Sequence, residues 1–204
     1  MSANSLPLVL AMTGASGAPY AVRLLEVLLR GGQEVHLLIS PSGAAVLKQE
    51  LARSVHLTQF ELSQLLPDCN TQDLPGKLSY HHHSDYFTPV ASGSFLTRGM
   101  VVCPCSGSTL SGIAHGSSQN LIQRAADVHL KEQRKLILVP RETPLSLVYL
   151  DNLRKAAEAG AVILPAMPGW YHGERDLQDL IDFVVARILD QLGIEHQLMK
   201  RWGE

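Results

Sequence analysis

Short apolar runs alternate along this chain with longer segments of helical periodicity. The runs, apolar at nearly every position, cover residues 7–12, 34–39, 100–103, 135–139 and 161–164. The helical patterns cover residues 20–30, 42–53, 119–131, 145–159 and 175–192. Apolar strands separated by helices are typical of a parallel sheet that is covered on both faces. We therefore predict an α/β fold with a doubly wound sheet, whose ligands bind at the carboxyl ends of the strands.

Composition narrows the function classes. The 204 residues are 46% hydrophobic and 18% charged, which predicts one globular domain over 1–204. Seventeen basic residues face nineteen acidic ones, and this balance argues against binding nucleic acid through bulk charge. The three cysteines form no disulfide or zinc pattern and favour a reducing, cytoplasmic compartment. No apolar run is long enough for a signal peptide or a membrane span, so we expect no membrane association.

Two segments do not follow the alternation. Residues 58–99 contain scattered Pro, Gly and Ser, and we predict a long loop-rich excursion with little regular structure. His81, His82 and His83 fall within it, and we interpret them as an exposed loop without an assigned role. Residues 195–204 form a C-terminal tail after the last helical pattern.

The loop after the first strand carries Gly14, Ala15 and Ser16 ahead of a helix. Glycine lets a ligand approach the backbone, and the helix start offers free N–H groups. Since Ser16 and Pro19 replace the later glycines of the dinucleotide fingerprint, the loop indicates a nucleotide-like or flavin-like site. A tight turn in which Ser16 caps the helix explains it equally well. The loop also nearly matches a nucleophile elbow, but no convincing histidine partner follows.

A second polar loop follows the strand at 100–103. Ser106, Gly107, Ser108 and Thr109 can offer hydroxyl and backbone donors to a phosphate, although a simple polar turn is the alternative. Basic and hydroxyl side chains recur later, at Arg124, Lys131, Arg141, Tyr171 and Arg187. Arg141 and Tyr171 follow predicted strands directly. Two anion sites are therefore expected, one for a flavin or nucleotide phosphate and one for a second phosphorylated molecule.

With these segments in place, the chain resembles the UbiX family of flavin prenyltransferases. The matching runs, in family order, are LAMTGASGAPYAVRLLE (10–26), ASGS (91–94), MVVCPCSGSTLSGIA (100–114), NLIQRAADVHLKE (120–132), LILVPRETPLS (136–146), GAVILPAMPGWYH (160–172), DFVVARILDQLGI (182–194) and RWGE (201–204). They span nearly the whole chain, and their combination is specific although each piece alone is weak.

The resemblance implies a Rossmann-like, flavodoxin-like subunit in a homo-oligomer, a dodecamer with active sites between subunits. It implies transfer of a dimethylallyl group from dimethylallyl phosphate to N5 and C6 of reduced FMN, with release of phosphate. The product, prenylated FMN, would serve a UbiD-type decarboxylase. No metal is expected, because cationic side chains can take the place of Mg²⁺.

The resemblance also assigns residues. FMN-contacting positions match Gly14, Ala15, Ser16, Ser40, Ser106, Gly107, Ser108, Thr109 and Arg124. Prenyl phosphate positions match Lys131, Arg141, Glu142, Tyr171 and Arg187. The pair linked to proton movement matches Ser16 and Glu50, and an aromatic near the prenyl group matches Trp202.

The chain departs from the usual family pattern near residue 86, and two other functions are alternatives. Ser84, Asp85 and Tyr86 stand where the family often has a Trp, and from Tyr86 we expect an altered rate or donor preference. A carrier that hands FMN to a partner would need only the first anion site. A flavin-dependent cysteine decarboxylase of related fold would carry a P-x-M-N-x-x-M-W motif, which we do not find.

Overall fold

The structure, a computed structural model, describes residues 6–171, 173–201 and 203. Six strands alternate with helices along the chain. The strands are β1 (Leu8–Met12), β2 (Glu34–Ile39), β3 (Lys77–His82), β4 (Gly99–Cys105), β5 (Leu136–Pro140) and β6 (Val162–Ile163). The helices are α1 (Ala18–Arg30), α2 (Pro41–Leu51), α3 (Gly107–Ala114), α4 (Leu121–Lys131), α5 (Leu147–Glu158) and α6 (Leu177–Leu192).

All strand pairs are parallel, and the sheet order is β3-β2-β1-β4-β5-β6. The chain builds outward from β1 in one direction and then from β4 in the other. The strand order therefore reverses between β1 and β4, and this switch point is where open parallel sheets leave a crevice for a ligand. The predicted α/β, flavodoxin-like doubly wound fold is confirmed.

Each face of the sheet has its own apolar core. Leu8, Leu10 and Met12 point to a cluster that includes α1 and α6, whereas Val9 and Ala11 point to a cluster that includes α3, α4 and α5. Alternate residues of a strand face opposite sides, so a fully buried strand must be apolar throughout. This requirement explains the uninterrupted apolar runs.

One prediction about the loops was wrong, and one helix was missed. Residues 58–99 contain a full strand, β3, which pairs in parallel with β2 from Lys77 to His82. β3 is an edge strand, half-buried and mixed in polarity, so it gave no apolar run. His81 and His82 thus belong to a strand, and His81 Nε2 lies 2.7 Å from Nδ1 of the buried His36.

The second missed element is α3, which the sequence analysis interpreted as a polar turn or phosphate loop. Its first residues are Gly107, Ser108 and Thr109, all poor helix formers. Ser106 caps the helix, and Leu110 and Ile113 bury it against the sheet. Within the described residues, no helix is long and apolar enough to cross a membrane.

Candidate active site

A buried threonine joins the two loops at the switch point. The hydroxyl of Thr13, just after β1, donates to the carbonyl of Pro104 at 2.6 Å. The same oxygen accepts from the N–H of Ser106 at 2.9 Å. The loops after β1 and β4 therefore form one unit. We call the region lined by residues 14–16 and 106–109 the switch-point crevice.

Hydroxyl groups line the β4 side of the crevice. Ser106 Oγ accepts from the N–H of Thr109 at 3.4 Å and lies 3.0 Å from its Oγ1, while Ser108 is exposed. The first N–H groups of a helix have no partners within the helix, and its dipole favours an anion there. Gly107 sits against Tyr149 of α5, because an added Cβ would lie 3.2 Å from the Tyr149 ring. This end of α3 can hold a phosphate close to the backbone.

On the β1 side, Gly14 packs against α2. An added Cβ there would lie 2.4 Å from Ser42 Cβ, so this position needs glycine. Ser40 caps α2 by accepting from the N–H of Gly43 at 3.0 Å, which anchors the helix beside the loop. Ser16, at the tip of the loop, is exposed.

Glu50, near the end of α2, reaches back to the start of α1. Its carboxylate accepts from the N–H groups of Gly17 at 3.0 Å and Ala18 at 2.8 Å. Burial opposes ionisation, but hydrogen bonds from the Ser16 side chain and these N–H groups, with the charge of Arg141, lower the pKa of Glu50. Glu50 is therefore an ionised carboxylate in contact with Ser16.

Arg141 enters the same place from β5. Its Nε donates to the carbonyl oxygen of Ser16 at 3.2 Å. The next residue, Glu142, is exposed, and its carboxylate accepts from the N–H of Thr143 at 3.1 Å. Three strands thus deliver Ser16, Arg141 and the hydroxyls of residues 106–109 to one edge of the sheet.

Tyr149 is a residue that the sequence analysis missed. It lies beneath Gly107, and its buried Oη has no hydrogen-bond partner within the part of the chain that the structure describes. Burial raises the pKa of Tyr149 to about 12, with Cys105 and Glu142 contributing. It lies in the first turn of α5, and nothing in its immediate sequence distinguishes it from a core aromatic.

The structure places Arg124 and Lys131 on α4. Arg124 donates to the carbonyl of Ala91 at 3.1 Å and to Asp127 at 2.8 Å. Lys131 pairs with Glu132 at 2.6 Å, only a few residues before β5 begins. Lys131 therefore lies at the amino ends of the strands, roughly one strand length, or about 16 Å, from the edge that holds Arg141.

Tyr171 lies beside α6, and Arg187 lies on this helix. The Tyr171 ring meets Phe183 edge-on, with centroids 5.7 Å apart. Phe183 and Arg187 are one helical turn apart and line a cavity of about 310 Å³ between β6 and α6. Arg187 Nη1 donates to Asp190 at 2.7 Å. Trp202, the expected aromatic near the prenyl group, lies outside the described residues.

The switch-point crevice is therefore assembled within one chain, but the predicted phosphate pocket is not. Ser16, Glu50 and Arg141 meet through direct contacts, with Glu142 next to Arg141. Lys131 is near the opposite edge of the sheet, and Arg187 is more than two helical turns along α6 from its start. Among the described residues, no group of three His, Cys, Asp or Glu side chains could hold a metal ion.

A parallel sheet with glycine and hydroxyl loops at its switch point defines a nucleotide-binding or flavin-binding class of protein. The model of the Flavoprotein family matches residues 2–189, which identifies that class as flavoproteins. A curated relative, the flavin prenyltransferase UbiX of Halalkalibacterium halodurans, is 49% identical over 193 residues, covering 95% of this chain and 91% of the relative. The chain belongs to the flavin prenyltransferase UbiX family.

Solved structures agree with this assignment. AnUbiX (PadA1), in complex with FMN and dimethylallyl pyrophosphate, is 38% identical with a TM-score of 0.83, covering 98% of both chains. The dodecameric FMN-dependent UbiX-like decarboxylase of Escherichia coli O157:H7 is 37% identical with a TM-score of 0.82, covering 98% of this chain and all of that one. The cysteine decarboxylase TvaF is only 18% identical with a TM-score of 0.57, which shows a shared fold alone.

Proposed function

We propose that this protein transfers a dimethylallyl group from dimethylallyl phosphate to N5 and C6 of reduced FMN. The observation that carries the proposal is the meeting of Ser16, Glu50 and Arg141 at the switch-point crevice. It puts a carboxylate, a hydroxyl and a cation at one place, as a reaction with proton movement and an anionic leaving group requires. The FMN and dimethylallyl pyrophosphate held by AnUbiX support the same pair of substrates.

The crevice fits a flavin phosphate. The residues that would hold FMN are Gly14, Ala15, Ser16, Ser40, Ser106, Gly107, Ser108, Thr109 and Arg124. Gly14 and Gly107 stand where an added Cβ would crowd Ser42 and Tyr149, so glycine lets the two loops pack closely against α2 and α5. The first N–H groups of α3 and the hydroxyl of Ser108 can supply donors to this phosphate.

When bound, reduced FMN supplies the electron pair that forms a C–N5 bond as the allylic C–O bond breaks and phosphate departs. Lys131, Arg141, Arg187 and the Tyr171 hydroxyl stabilise the charge that grows on the phosphate. Glu142, next to Arg141, donates a proton to the leaving phosphate. The allylic fragment carries positive charge, which an aromatic face stabilises, and by family resemblance Tyr86 and Trp202 are the candidates for this role. Because these cations balance the phosphate charge, the reaction needs no metal.

Ring closure joins the prenyl chain to C6, where one proton is lost, while an alkene carbon of the chain gains one. Glu50 and Ser16 move these protons. The lowered pKa of Glu50 keeps its carboxylate ready to accept a proton through the Ser16 hydroxyl at neutral pH. Two backbone N–H groups hold that carboxylate in place throughout.

A complete site requires more than one copy of the chain. Lys131 lies near the strand ends opposite Arg141, so Lys131 of one copy would complete the crevice of another. Exposed apolar side chains at the start of α5, Leu147 and Val148, are 81% and 71% exposed and suit contacts between copies. A homo-oligomer, as in the dodecameric E. coli relative, satisfies both features.

The product, prenylated FMN, would be handed to a UbiD-type decarboxylase in the cytoplasm. The rival function is a carrier that binds FMN without transforming it. Such a carrier needs the switch-point crevice but has no use for Arg141 and Glu142 beside Ser16 and Glu50.

The deciding experiment incubates the protein anaerobically with reduced FMN and dimethylallyl phosphate, followed by mass spectrometry of the flavin. We expect a five-carbon gain and released inorganic phosphate. A parallel incubation with dimethylallyl diphosphate tests the donor, with release of pyrophosphate as its signature. Unchanged FMN that remains bound to the protein would support the carrier instead.

A further inference from the structure

We propose that Asp190 is a positioning residue that couples the docking of the closing segment (residues 194–201) to the orientation of Arg187. This inference rests on the proposed function, in which Arg187 contacts the prenyl phosphate. It adds a residue that the sequence analysis did not single out, and it gives residues 194–201 a task in substrate binding.

Asp190 lies in the last turn of α6 and is shared by three donors. Its Oδ2 accepts from Arg187 Nη1 at 2.7 Å. Its Oδ1 accepts from Arg201 Nη2 at 2.9 Å and from His196 Nε2 at 3.1 Å. The Asp190 side chain is 15% exposed, whereas those of Arg187 and Arg201 are 45% and 51% exposed. One nearly buried carboxylate therefore ties a helix residue to two residues of the closing segment.

The closing segment folds back on α6 to make these contacts. Gly193 ends the helix in the left-handed region, at φ 63°, and the N–H of Ile194 donates to the carbonyl of Leu189 at 3.0 Å. His196 is 3% exposed, and its Nδ1 accepts from the N–H of Leu198 at 3.4 Å. Because Nδ1 accepts, Nε2 carries the proton that is donated to Asp190. The segment is thus anchored at its middle and near its end.

The balance of charges explains how Asp190 can hold Arg187 in place and still leave it able to bind a phosphate. The guanidinium groups of Arg187 and Arg201 share the single Asp190 carboxylate, so this carboxylate does not fully neutralise Arg187 for an incoming phosphate. Burial opposes ionisation of Asp190, but the hydrogen bonds from Arg201 and His196 outweigh it and lower the pKa of the carboxyl group. Asp190 is therefore anionic across the neutral range and holds Arg187 in one orientation.

Docking of the segment and orientation of Arg187 are consequently linked. When the segment is docked, Asp190 is shielded from water and its bond to Arg187 is strong. When the segment undocks, both donors to Oδ1, His196 and Arg201, move away with it, and water then competes for the carboxylate. A phosphate that prefers the oriented Arg187 must, by the same linkage, favour the docked segment.

The test compares Asp190→Ala with wild type by steady-state kinetics and hydrogen exchange. We expect the KM for dimethylallyl phosphate to rise about tenfold and kcat to fall as well, because Arg187 also stabilises the leaving phosphate, while FMN affinity is unchanged. Exchange of residues 194–201 should become faster, and added dimethylallyl phosphate should slow it in wild type but not in the variant. Asp190→Asn, which keeps acceptor oxygen but no charge, should recover part of both effects.

Two further variants separate positioning from general stability. Glu158→Ala removes a carboxylate that pairs with Arg154 at 2.7 Å on α5, away from the closing segment, and should change neither measurement. Arg201→Gln frees the segment but leaves the Arg187–Asp190 pair, so it should speed exchange and raise the KM less than Asp190→Ala does. An active Asp190→Ala variant with a wild-type KM would overturn the inference. Wild type that forms no prenylated flavin would instead overturn the proposed function.

Discussion

The two parts of the proposed site, the switch-point crevice and the prenyl phosphate pocket, are built in different ways. The loops of the crevice follow the adjacent strands β1 and β4, and Ser16 in the first loop contacts both Glu50 of α2 and Arg141 after β5 within one chain. The cations Lys131 and Arg187 lie on helices, and each is paired with a neighbouring carboxylate. The flavin side is therefore assembled within one chain, whereas in the proposed function the phosphate side is completed by a second copy of the chain.

The largest expected effect is the loss of turnover when either Lys131 or Arg141 is removed, together with its partial recovery when the two variants are mixed. Lys131→Ala and Arg141→Ala should each lower turnover by roughly 10²–10³-fold, because each removes charge that stabilises the leaving phosphate. If the two residues act from different copies, assemblies formed from equal amounts of both variants contain some intact sites. Random mixing should return about a quarter of wild-type activity.

The measurement is the rate of prenylated FMN formation after the two variants are coexpressed or refolded together. Each variant alone, refolded in the same way, is the control. Mixed assemblies as inactive as the single variants would show that Lys131 of one copy and Arg141 of another do not combine in one site.

Glu142→Gln tests the acid beside Arg141. The variant should bind FMN and dimethylallyl phosphate normally but turn over about a hundredfold more slowly, because it cannot protonate the leaving phosphate. Binding is measured by titration and turnover by single-turnover flavin spectra. Glu158→Gln, a carboxylate on the outside of α5, is the matched control. Wild-type turnover in Glu142→Gln would remove Glu142 from this role.

Gly107→Ala tests the flavin side alone. The added methyl group would lie 3.2 Å from the Tyr149 ring, so either the ring or the start of α3 must shift. We expect FMN to bind about tenfold more weakly, with the KM for dimethylallyl phosphate unchanged at saturating FMN. In the control Gly31→Ala, the added methyl group would also lie 3.2 Å from its nearest neighbour, Val27 O, but far from the crevice. This variant should leave FMN binding intact. Equal losses in both variants would point to general destabilisation.

The smallest effect concerns Glu50 and pH. Since folding lowers its pKa, the ionised carboxylate stabilises the folded chain above the ordinary value of 4.5. This contribution is lost as the pH falls through the lowered value. Glu50→Gln should therefore narrow the difference in thermal midpoint between neutral and acidic pH by a degree or so. At neutral pH the same variant should form the closed-ring product more slowly; a normal rate would exclude the Glu50 and Ser16 relay.

Most of the fold could be predicted from the sequence because four strands, β1, β2, β4 and β5, are buried on both faces and must be apolar. β3 could not, since an edge strand tolerates the alternation of polar and apolar residues in Lys77–His82. α3 was missed for a different reason: its glycine and serine residues have low helix propensity, and packing between the sheet and its neighbours stabilises it. Tertiary contacts decided both elements.

The site residues also separate into those that the sequence could place and those that it could not. Ser16 and Arg141 follow strands, so the rule that ligands bind at the carboxyl ends places them together. Glu50 was assigned only by family resemblance, because nothing local shows that the end of α2 reaches Gly17 and Ala18. Tyr149 and Asp190 were missed, since a buried hydroxyl and a shared carboxylate become visible only when residues distant in sequence are brought into contact.

Thr13 constrains how this protein can be engineered. Its single hydroxyl is bonded to both Pro104 and Ser106, so neither loop has an independent anchor at that point. If the loop after β1 is replaced by that of another flavoprotein, the segment near residue 104 must be replaced with it. Otherwise the new loop will not match the partners that Thr13 contacts in this chain. The loops after β1 and β4 therefore have to be exchanged together.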